Sequence, residues 1–121
     1  NVPGAPYRSG IVLCGSMFGL GVWRHRNFET SHLFLAPRCQ HELVPEPVDV
    51  TGTGGPGGKH RKPRSVAQAQ RALGIDWMGR RELNQAIPPA YTEYIGRRLM
   101  ESLGPVPKPG TIAKGEPWPR N

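Results

Sequence analysis

Arg24 and Arg26 are two cations separated by a single residue, in a stretch that also holds Trp23 and His25. Side chains at alternate positions of a strand point to the same face, so a strand over residues 22 to 26 would bring both guanidinium groups to one site and turn Trp23 and His25 elsewhere. Such a pair suits chemistry in which negative charge develops on a bound ring or anion. The alternative is a surface strand with two solvated arginines, and the spacing alone does not separate these interpretations.

A basic cluster follows a glycine-rich stretch near the middle of the chain. The chain has 16 Lys and Arg against 9 Asp and Glu, which gives a formal net charge of +7, and no acidic residue occurs between Asp49 and Asp76. Cations that neutralise phosphates release condensed counterions, so the cluster favours a loop that faces DNA. The alternative is a solvated basic loop. The predicted DNA-binding residues are Lys59, His60, Arg61, Lys62 and Arg64.

The cysteines and histidines offer a second kind of chemistry, which we do not expect the chain to use. Cys39 and His41 are separated by one residue and, with His32 or His60, could be interpreted as a metal cluster. Structural zinc sites normally take their ligands from two closely spaced pairs, so we expect no metal site. Cys14 is expected to be a strand residue that faces the core. Two cysteines in 121 residues predict free thiols in a reducing cytosol.

The elements that must position these residues divide the chain into strands, an irregular part and helices. Residues 11 to 35 alternate short apolar runs with glycines and predict two or three short strands. Residues 36 to 64 are rich in Pro and Gly and predict a long irregular loop. Three helices are predicted after it. They cover residues 66 to 73 between Ser65 and Gly74, residues 79 to 87, and residues 89 to 103 before Gly104.

Four motifs occur in an order that resembles the C-terminal half of a DNA cytosine-5 methyltransferase, most closely the phage and actinobacterial versions. Residues 1 to 6, NVPGAP, resemble the family's Glu-Asn-Val motif without its glutamate. Residues 22 to 26, VWRHR, resemble its Gln-x-Arg-x-Arg motif, with Val22 in place of Gln. Residues 71 to 75, RALGI, and 84 to 89, NQAIPP, resemble its Leu-Gln-Gly-Phe-like motif and its final Gly-Asn-Ala-Val-Pro-Pro motif.

The resemblance implies a fold class and a division of the chain. The expected class is α/β: a C-terminal fragment of a Rossmann-like methyltransferase domain, with short strands, two or three helices and a small irregular target-recognition segment. Residues 1 to 30 and 65 to 103 would belong to the catalytic domain, and residues 31 to 64 to the target-recognition segment. Residues 104 to 121 contain five prolines and are expected to form a disordered tail.

The resemblance also implies a reaction and the residues that serve it. The family transfers a methyl group from S-adenosylmethionine to C5 of a cytosine that is flipped out of double-stranded DNA. Arg26 is expected near the flipped base, with Arg24 as its catalytic neighbour. Asn84, Gln85 and Ala86 are expected to contact the cofactor, with Asn84 and Gln85 standing where the family has Gly-Asn.

Several parts that the reaction needs have no counterpart in the sequence. The family's nucleophile lies in a Pro-Cys motif that precedes the Glu-Asn-Val motif, whereas Cys39 follows it and is separated from Pro37 by Arg38. The glutamate and the glycine-containing loop that holds the methyl donor are also missing. We therefore expect the parent protein to be a methyltransferase and these 121 residues alone to be inactive.

The expected partner is double-stranded DNA, and the expected parent is a monomeric enzyme in the cytoplasm of a bacterial or phage-infected cell. No apolar run approaches the roughly 20 residues that a membrane-spanning helix needs, so no membrane partner is expected. Two other classes stay open. One is a stand-alone DNA-binding module, and the other is a small interaction protein whose proline-rich tail docks a partner.

Overall fold

A computed structural model describes residues 10 to 51 and 60 to 105 of the chain. Within them, a two-stranded antiparallel sheet precedes three helices, so the fold is a small mixed one. The strands pair in a register that sets Ile11 opposite Phe28. The elements are β1 (Gly10–Leu13), β2 (Arg26–Glu29), α1 (Val66–Leu73), α2 (Arg80–Gln85) and α3 (Pro89–Leu103). The NVPGAP motif, the glycines before Lys59 and nearly all of the predicted tail lie outside the described residues.

The helices begin and end close to the residues that local signals predict. The Ser65 hydroxyl accepts a hydrogen bond from the Gln68 backbone N–H at 3.1 Å, and Gly74 ends α1 with a left-handed φ of 69°. Pro89 is the first residue of α3, and Gly104 follows its last residue. These bounds confirm the predictions for α1 and α3. The second helix ends at Gln85, earlier than predicted, because the chain becomes extended ahead of Pro88.

The strands differ from the prediction in two places. Residues 22 to 25 are not part of a strand, because β2 begins at Arg26 and Arg24 has a φ of 33°. Residues 32 to 36, HLFLA, are the last apolar run of the stretch predicted to hold two or three strands. They form no strand either, and Leu33 and Leu35 are 98% and 84% exposed. A short apolar run becomes a strand only when another strand pairs with it, and the described residues provide none there.

The chain between β2 and Pro47 is irregular, as predicted for the part of it that begins at residue 36. It contains one turn of 3₁₀ helix at His41–Leu43, and no residue from 30 to 46 is buried. The chain rejoins the core at Pro47 and Val50. An isolated parallel bridge then pairs Val48 with Arg61. This bridge places the described part of the basic cluster beside the core.

The core has two parts. In the first part, Leu73 at the end of α1 and Ile75 just after it pack against Leu83 of α2. Val22 and Val50 complete this part. In the second, Ile11 and Leu13 of β1 pack against Tyr91 at the start of α3.

The rest of α3 extends from the core. Tyr91, Ile95, Leu99 and Leu103 form the predicted apolar stripe, but of these only Tyr91 is buried, and Leu103 is 63% exposed. Ile95 is half-buried against the second core part, so the stripe is packed mainly in the N-terminal half of α3. In the part of the chain that the structure describes, no helix has both the length and the apolar character to cross a membrane.

Candidate functional site

The loop before β2 carries Arg24 and leads directly into Arg26, the first residue of β2, and backbone hydrogen bonds fix this loop from two sides. The Gly15 N–H donates to the Trp23 carbonyl oxygen at 2.7 Å, and a Cβ at Gly15 would collide with the Val22 carbonyl oxygen. The Gly21 N–H donates to the Ala72 carbonyl oxygen at 3.1 Å. Gly15 therefore permits a close approach between the loop and the turn after β1, and Gly21 ties the loop to α1.

Arg24 connects this loop to the segment between α2 and α3. Its Nε donates to the Ala86 carbonyl oxygen at 2.8 Å, and its Nη2 donates to the Asn84 carbonyl oxygen at 2.6 Å. The Tyr91 hydroxyl donates to the Arg24 carbonyl oxygen at 2.8 Å. Burial, and then the charge of Arg26, lower the pKa of Arg24 to about 10, so the group stays charged at neutral pH. Two motifs of the resemblance are thus in direct contact.

Arg24 and Arg26 line one open pocket of about 180 Å³. Trp23 lines it too, contrary to the expectation that alternation would turn Trp23 away, because residues 22 to 25 are not a strand. His25 does point elsewhere, as predicted, since it is absent from the lining. The remaining wall is formed by Val22, Val48, Asp49, Val50, Thr51 and His60. The pocket combines two cations with two aromatic rings and one carboxylate.

The predicted DNA-binding residues divide between this pocket and the surface. His60 lies edge-on to Trp23, with ring centroids 5.2 Å apart, and lines the pocket. Arg61, Lys62 and Arg64 are exposed and do not line it. The backbone of Arg61 is anchored, because its N–H donates to the Pro47 carbonyl oxygen at 2.9 Å. Lys59 lies outside the described residues. Residues 60 to 64, which we call the basic segment, therefore begin at the pocket wall and continue onto the surface.

The predicted cofactor residues lie in the segment whose carbonyl groups accept the two hydrogen bonds from Arg24. The Asn84 side-chain oxygen is buried and has no hydrogen-bond partner in the part of the chain that the structure describes. Gln85 is exposed, whereas Ala86 is buried in the first core part. None of the three lines the arginine pocket. Gln85 therefore presents its carboxamide to solvent, the Asn84 oxygen is enclosed, and the structure brings neither of them to the arginine pocket.

Four side chains that the sequence analysis did not group lie together beside Trp23. The ligand atoms of Cys14, His25, Cys39 and His41 all lie within 4.8 Å of one another, and we call these residues the Cys/His cluster. The Cys14 Sγ is 3.3 Å from the His41 Nε2, and the Cys39 Sγ is 3.6 Å from the His25 Nε2. The spacing of Cys39 and His41 predicted no metal site, and this grouping argues against that prediction.

Partial burial sets the electrostatics of the cluster. Burial, and then the neighbouring His41, lower the pKa of His25, so its ring is mainly neutral at pH 7. Burial, and then the neighbouring Cys14, raise the pKa of the Cys39 thiol. The Trp23 indole stacks on the His41 ring with centroids 4.1 Å apart, and its Nε1 donates to the Val44 carbonyl oxygen at 2.9 Å. Trp23 thus separates the cluster from the arginine pocket.

Comparison with known proteins assigns no function to the chain. No family model matches the chain, and neither the curated proteins nor the solved structures contain a match. The resemblance to cytosine-5 methyltransferases therefore stays a prediction. What the chain does must be inferred from the pocket, the basic segment and the order of the motifs.

Proposed function

We propose that this chain forms the DNA-facing part of a DNA cytosine-5 methyltransferase. The observation that carries the proposal is the pocket in which Arg24 and Arg26 meet Trp23 and His60. Attack of a thiolate on C6 of cytosine places negative charge on the ring, and positioned guanidinium donors stabilise that charge. Arg26 would contact the flipped base, and Arg24 would brace the site through its two backbone hydrogen bonds.

The size of the pocket supports a single base as its occupant. Its volume of about 180 Å³ is small. Cavities for drug-sized ligands measure roughly 300–1,000 Å³, so a single ring is the better fit. Trp23 and His60 give the wall two flat rings, which suit contact with a base. A base in this pocket would be reached by donors from both arginines.

The surface next to the pocket supports DNA as the macromolecular partner. Lys62 and Arg64 are exposed and have no salt bridge within residues 10 to 51 and 60 to 105. Arg61 pairs with Glu46 at 2.9 Å, where both side chains are largely solvent-exposed. An exposed ion pair of this kind is weak, so a phosphate can compete for Arg61. The basic segment would hold the backbone of the duplex whose base enters the pocket.

The methyl donor would be S-adenosylmethionine, and Asn84 and Gln85 would contribute to its site. The supporting observations are the exposed Gln85 carboxamide and the buried Asn84 oxygen, which has no partner among the described residues. S-adenosylmethionine supplies an electrophilic methyl group when bound. In this proposal the α/β elements form the C-terminal part of a Rossmann-like domain, and the rest of that domain provides most of the donor site.

The chain alone is expected to transfer no methyl group. Its two cysteines both belong to the Cys/His cluster, and neither lines the arginine pocket. A thiolate nucleophile must therefore come from outside these 121 residues. Incubation of the purified chain with labelled S-adenosylmethionine and duplex DNA checks this expectation. Label in the cytosines of the recovered DNA would contradict it.

The DNA contact of Arg26 is tested by fluorescence anisotropy on a duplex that the wild-type chain selects from a random pool. Arg26→Gln removes the cation from the pocket, and Arg97→Gln is the control because Arg97 is an exposed α3 residue paired with Glu93 at 2.7 Å. Arg26→Gln should weaken binding about 10-fold or more, since hydrogen bonds to charged groups contribute about 1.5–3 kcal/mol. Arg97→Gln should leave the affinity unchanged. Equal losses in the two variants would contradict a role for the pocket.

A further inference from the structure

We propose that Cys14, His25, Cys39 and His41 bind one structural zinc ion. Cys14 directly follows β1, His25 directly precedes β2, and Cys39 and His41 come from the irregular segment. The ion would thus crosslink three parts of the chain that are distant in sequence. This inference goes beyond the proposed function and does not depend on it.

The distances within the cluster fit a tetrahedral site. With Zn–S near 2.3 Å and Zn–N near 2.0–2.1 Å, a sulfur ligand and a nitrogen ligand are separated by roughly 3.6 Å. Two of the four sulfur–nitrogen pairs of the cluster, Cys14–His41 and Cys39–His25, are separated by 3.3 and 3.6 Å. All four donor atoms already lie within 4.8 Å of one another. Closing the tetrahedron shortens no separation by more than about 1.5 Å, which side-chain rotation supplies.

The donor set favours zinc over other common ions. Two thiolates and two imidazoles form an S₂N₂ set, which in tetrahedral geometry is typical of zinc. Calcium and magnesium prefer oxygen ligands, and the cluster offers none. Two thiolates also cancel the charge of a divalent ion, so the complete site is neutral in its partly buried position. Four protein ligands leave no open position, which indicates a structural and not a catalytic ion.

Neighbouring side chains orient the ligands. The Ser16 Oγ lies 3.2 Å from the Cys14 Sγ and accepts a hydrogen bond from the Gln40 N–H at 3.1 Å. The Ser16 hydroxyl proton is therefore free to point at the Cys14 sulfur, where it would stabilise a thiolate. The His41 ring is held by its stack on Trp23. Supports of this kind around the ligands are a general feature of metal sites.

The irregular segment needs such a crosslink because it has almost no core of its own. No residue from 30 to 46 is buried, and Leu33, Leu35 and Leu43 are exposed. A segment that buries little apolar surface cannot offset the entropy of ordering it. Small domains commonly solve this problem with a structural metal. Cys39 and His41 would anchor the middle of the segment to Cys14 and His25.

Elemental analysis of the chain, expressed without an affinity tag and purified under reducing conditions, tests the proposal directly. We expect one zinc per chain. Replacement by cobalt should give the intense visible bands of a tetrahedral ion and a thiolate-to-cobalt charge-transfer band. No zinc after incubation with zinc chloride and dialysis would overturn the proposal, and so would the weak spectrum of octahedral cobalt. A thiol count of zero in the denatured chain would also overturn it, because it would indicate a Cys14–Cys39 disulfide.

Two variants test whether the Cys/His cluster is the site that binds the zinc ion. Cys39→Ser should weaken zinc retention against a chelator by more than about 100-fold, since even outer-shell changes cost about 10–100-fold. His32→Asn is the matched control, because His32 lies in the same irregular segment but outside the cluster. It should retain zinc like the wild type. Equal retention by wild type, Cys39→Ser and His32→Asn would overturn the assignment.

Limited trypsin digestion gives a readout that does not depend on a variant's folding. Arg38 is exposed and directly precedes the ligand Cys39. Zinc should protect the bond after Arg38, and removal of the ion with EDTA should speed its cleavage on the order of 10-fold or more, because cleavage follows the open population. Cleavage at the same rate with and without zinc would overturn the role of the ion as a crosslink. Loss of DNA binding alone would bear on the proposed function and not on this site.

Discussion

The Arg24 guanidinium group and the Ala86 carbonyl oxygen are joined by a hydrogen bond of 2.8 Å between residues 62 positions apart in sequence. A second donor of the same group reaches the Asn84 carbonyl oxygen at 2.6 Å. These bonds use two of the five donors of Arg24, and Arg24 is also one of the residues that line the pocket. Arg24 thus holds two segments together at the place where we propose that the base binds.

The first prediction concerns the two hydrogen bonds that Arg24 donates to the Asn84 and Ala86 carbonyl oxygens. Arg24→Lys keeps the charge but loses the planar fork that reaches two carbonyl groups, so it should lower the free energy of unfolding by about 1.5–3 kcal/mol. Urea denaturation followed by tryptophan fluorescence measures the change. Arg98→Lys is the control, because Arg98 lies on the surface of α3 with Glu101 and Tyr94. An unchanged midpoint for Arg24→Lys would show that the fork does not stabilise the fold.

The second prediction concerns the hydroxyl that supports Arg24. Tyr91 is fully buried, and its hydroxyl donates to the Arg24 carbonyl oxygen at 2.8 Å. Tyr91→Phe leaves that carbonyl group without this donor and should destabilise the chain by about 1–2 kcal/mol. Tyr94→Phe removes a hydroxyl that donates to the Leu35 carbonyl oxygen in an exposed contact, and should cost less. Equal losses for both variants, measured by urea denaturation, would contradict a special role for the buried hydroxyl.

The third prediction concerns the salt dependence of DNA binding. The slope of log K against log salt reports the phosphates that a protein contacts, at about 0.9 per phosphate. The double variant Lys62→Gln and Arg64→Gln should flatten this slope by about 2 if each side chain holds one phosphate. The double variant Arg97→Gln and Arg98→Gln removes the same charge from α3, where both arginines pair with glutamates. If the two double variants show the same slope, the basic segment is not the DNA contact.

The ends of the helices could be predicted from the sequence because their signals are local. A Ser N-cap, a Gly in the left-handed region and a Pro in the first turn act within a few residues, and Ser65, Gly74 and Pro89 do so here. The strand predicted near Leu33 failed because strand formation depends on a partner elsewhere in the chain. No residue within that run shows whether a partner exists.

The candidate site was predictable only in part, for the same reason. Arg24 and Arg26 line one pocket, but the strand alternation that was expected to bring them together is absent. Their grouping depends on hydrogen bonds from Arg24 to a distant segment. Within the Cys/His cluster, only Cys39 and His41 are close enough in sequence to be recognised as a pair. Cys14 and His25 reach them through the folding of the chain, so no local pattern marks the full set.

The measurement that tests base flipping most directly compares two DNA duplexes by fluorescence anisotropy. The duplexes share a sequence that the chain selects, but in one of them the target cytosine lies opposite an abasic site. Removing the paired base lowers the few kcal/mol needed to extrude the cytosine, so the chain should bind that duplex about 10-fold tighter or more. Arg26→Gln should abolish the difference because it removes the pocket's contact with the base. Equal affinity of the wild-type chain for both duplexes would contradict the proposed function and would favour a stand-alone DNA-binding module.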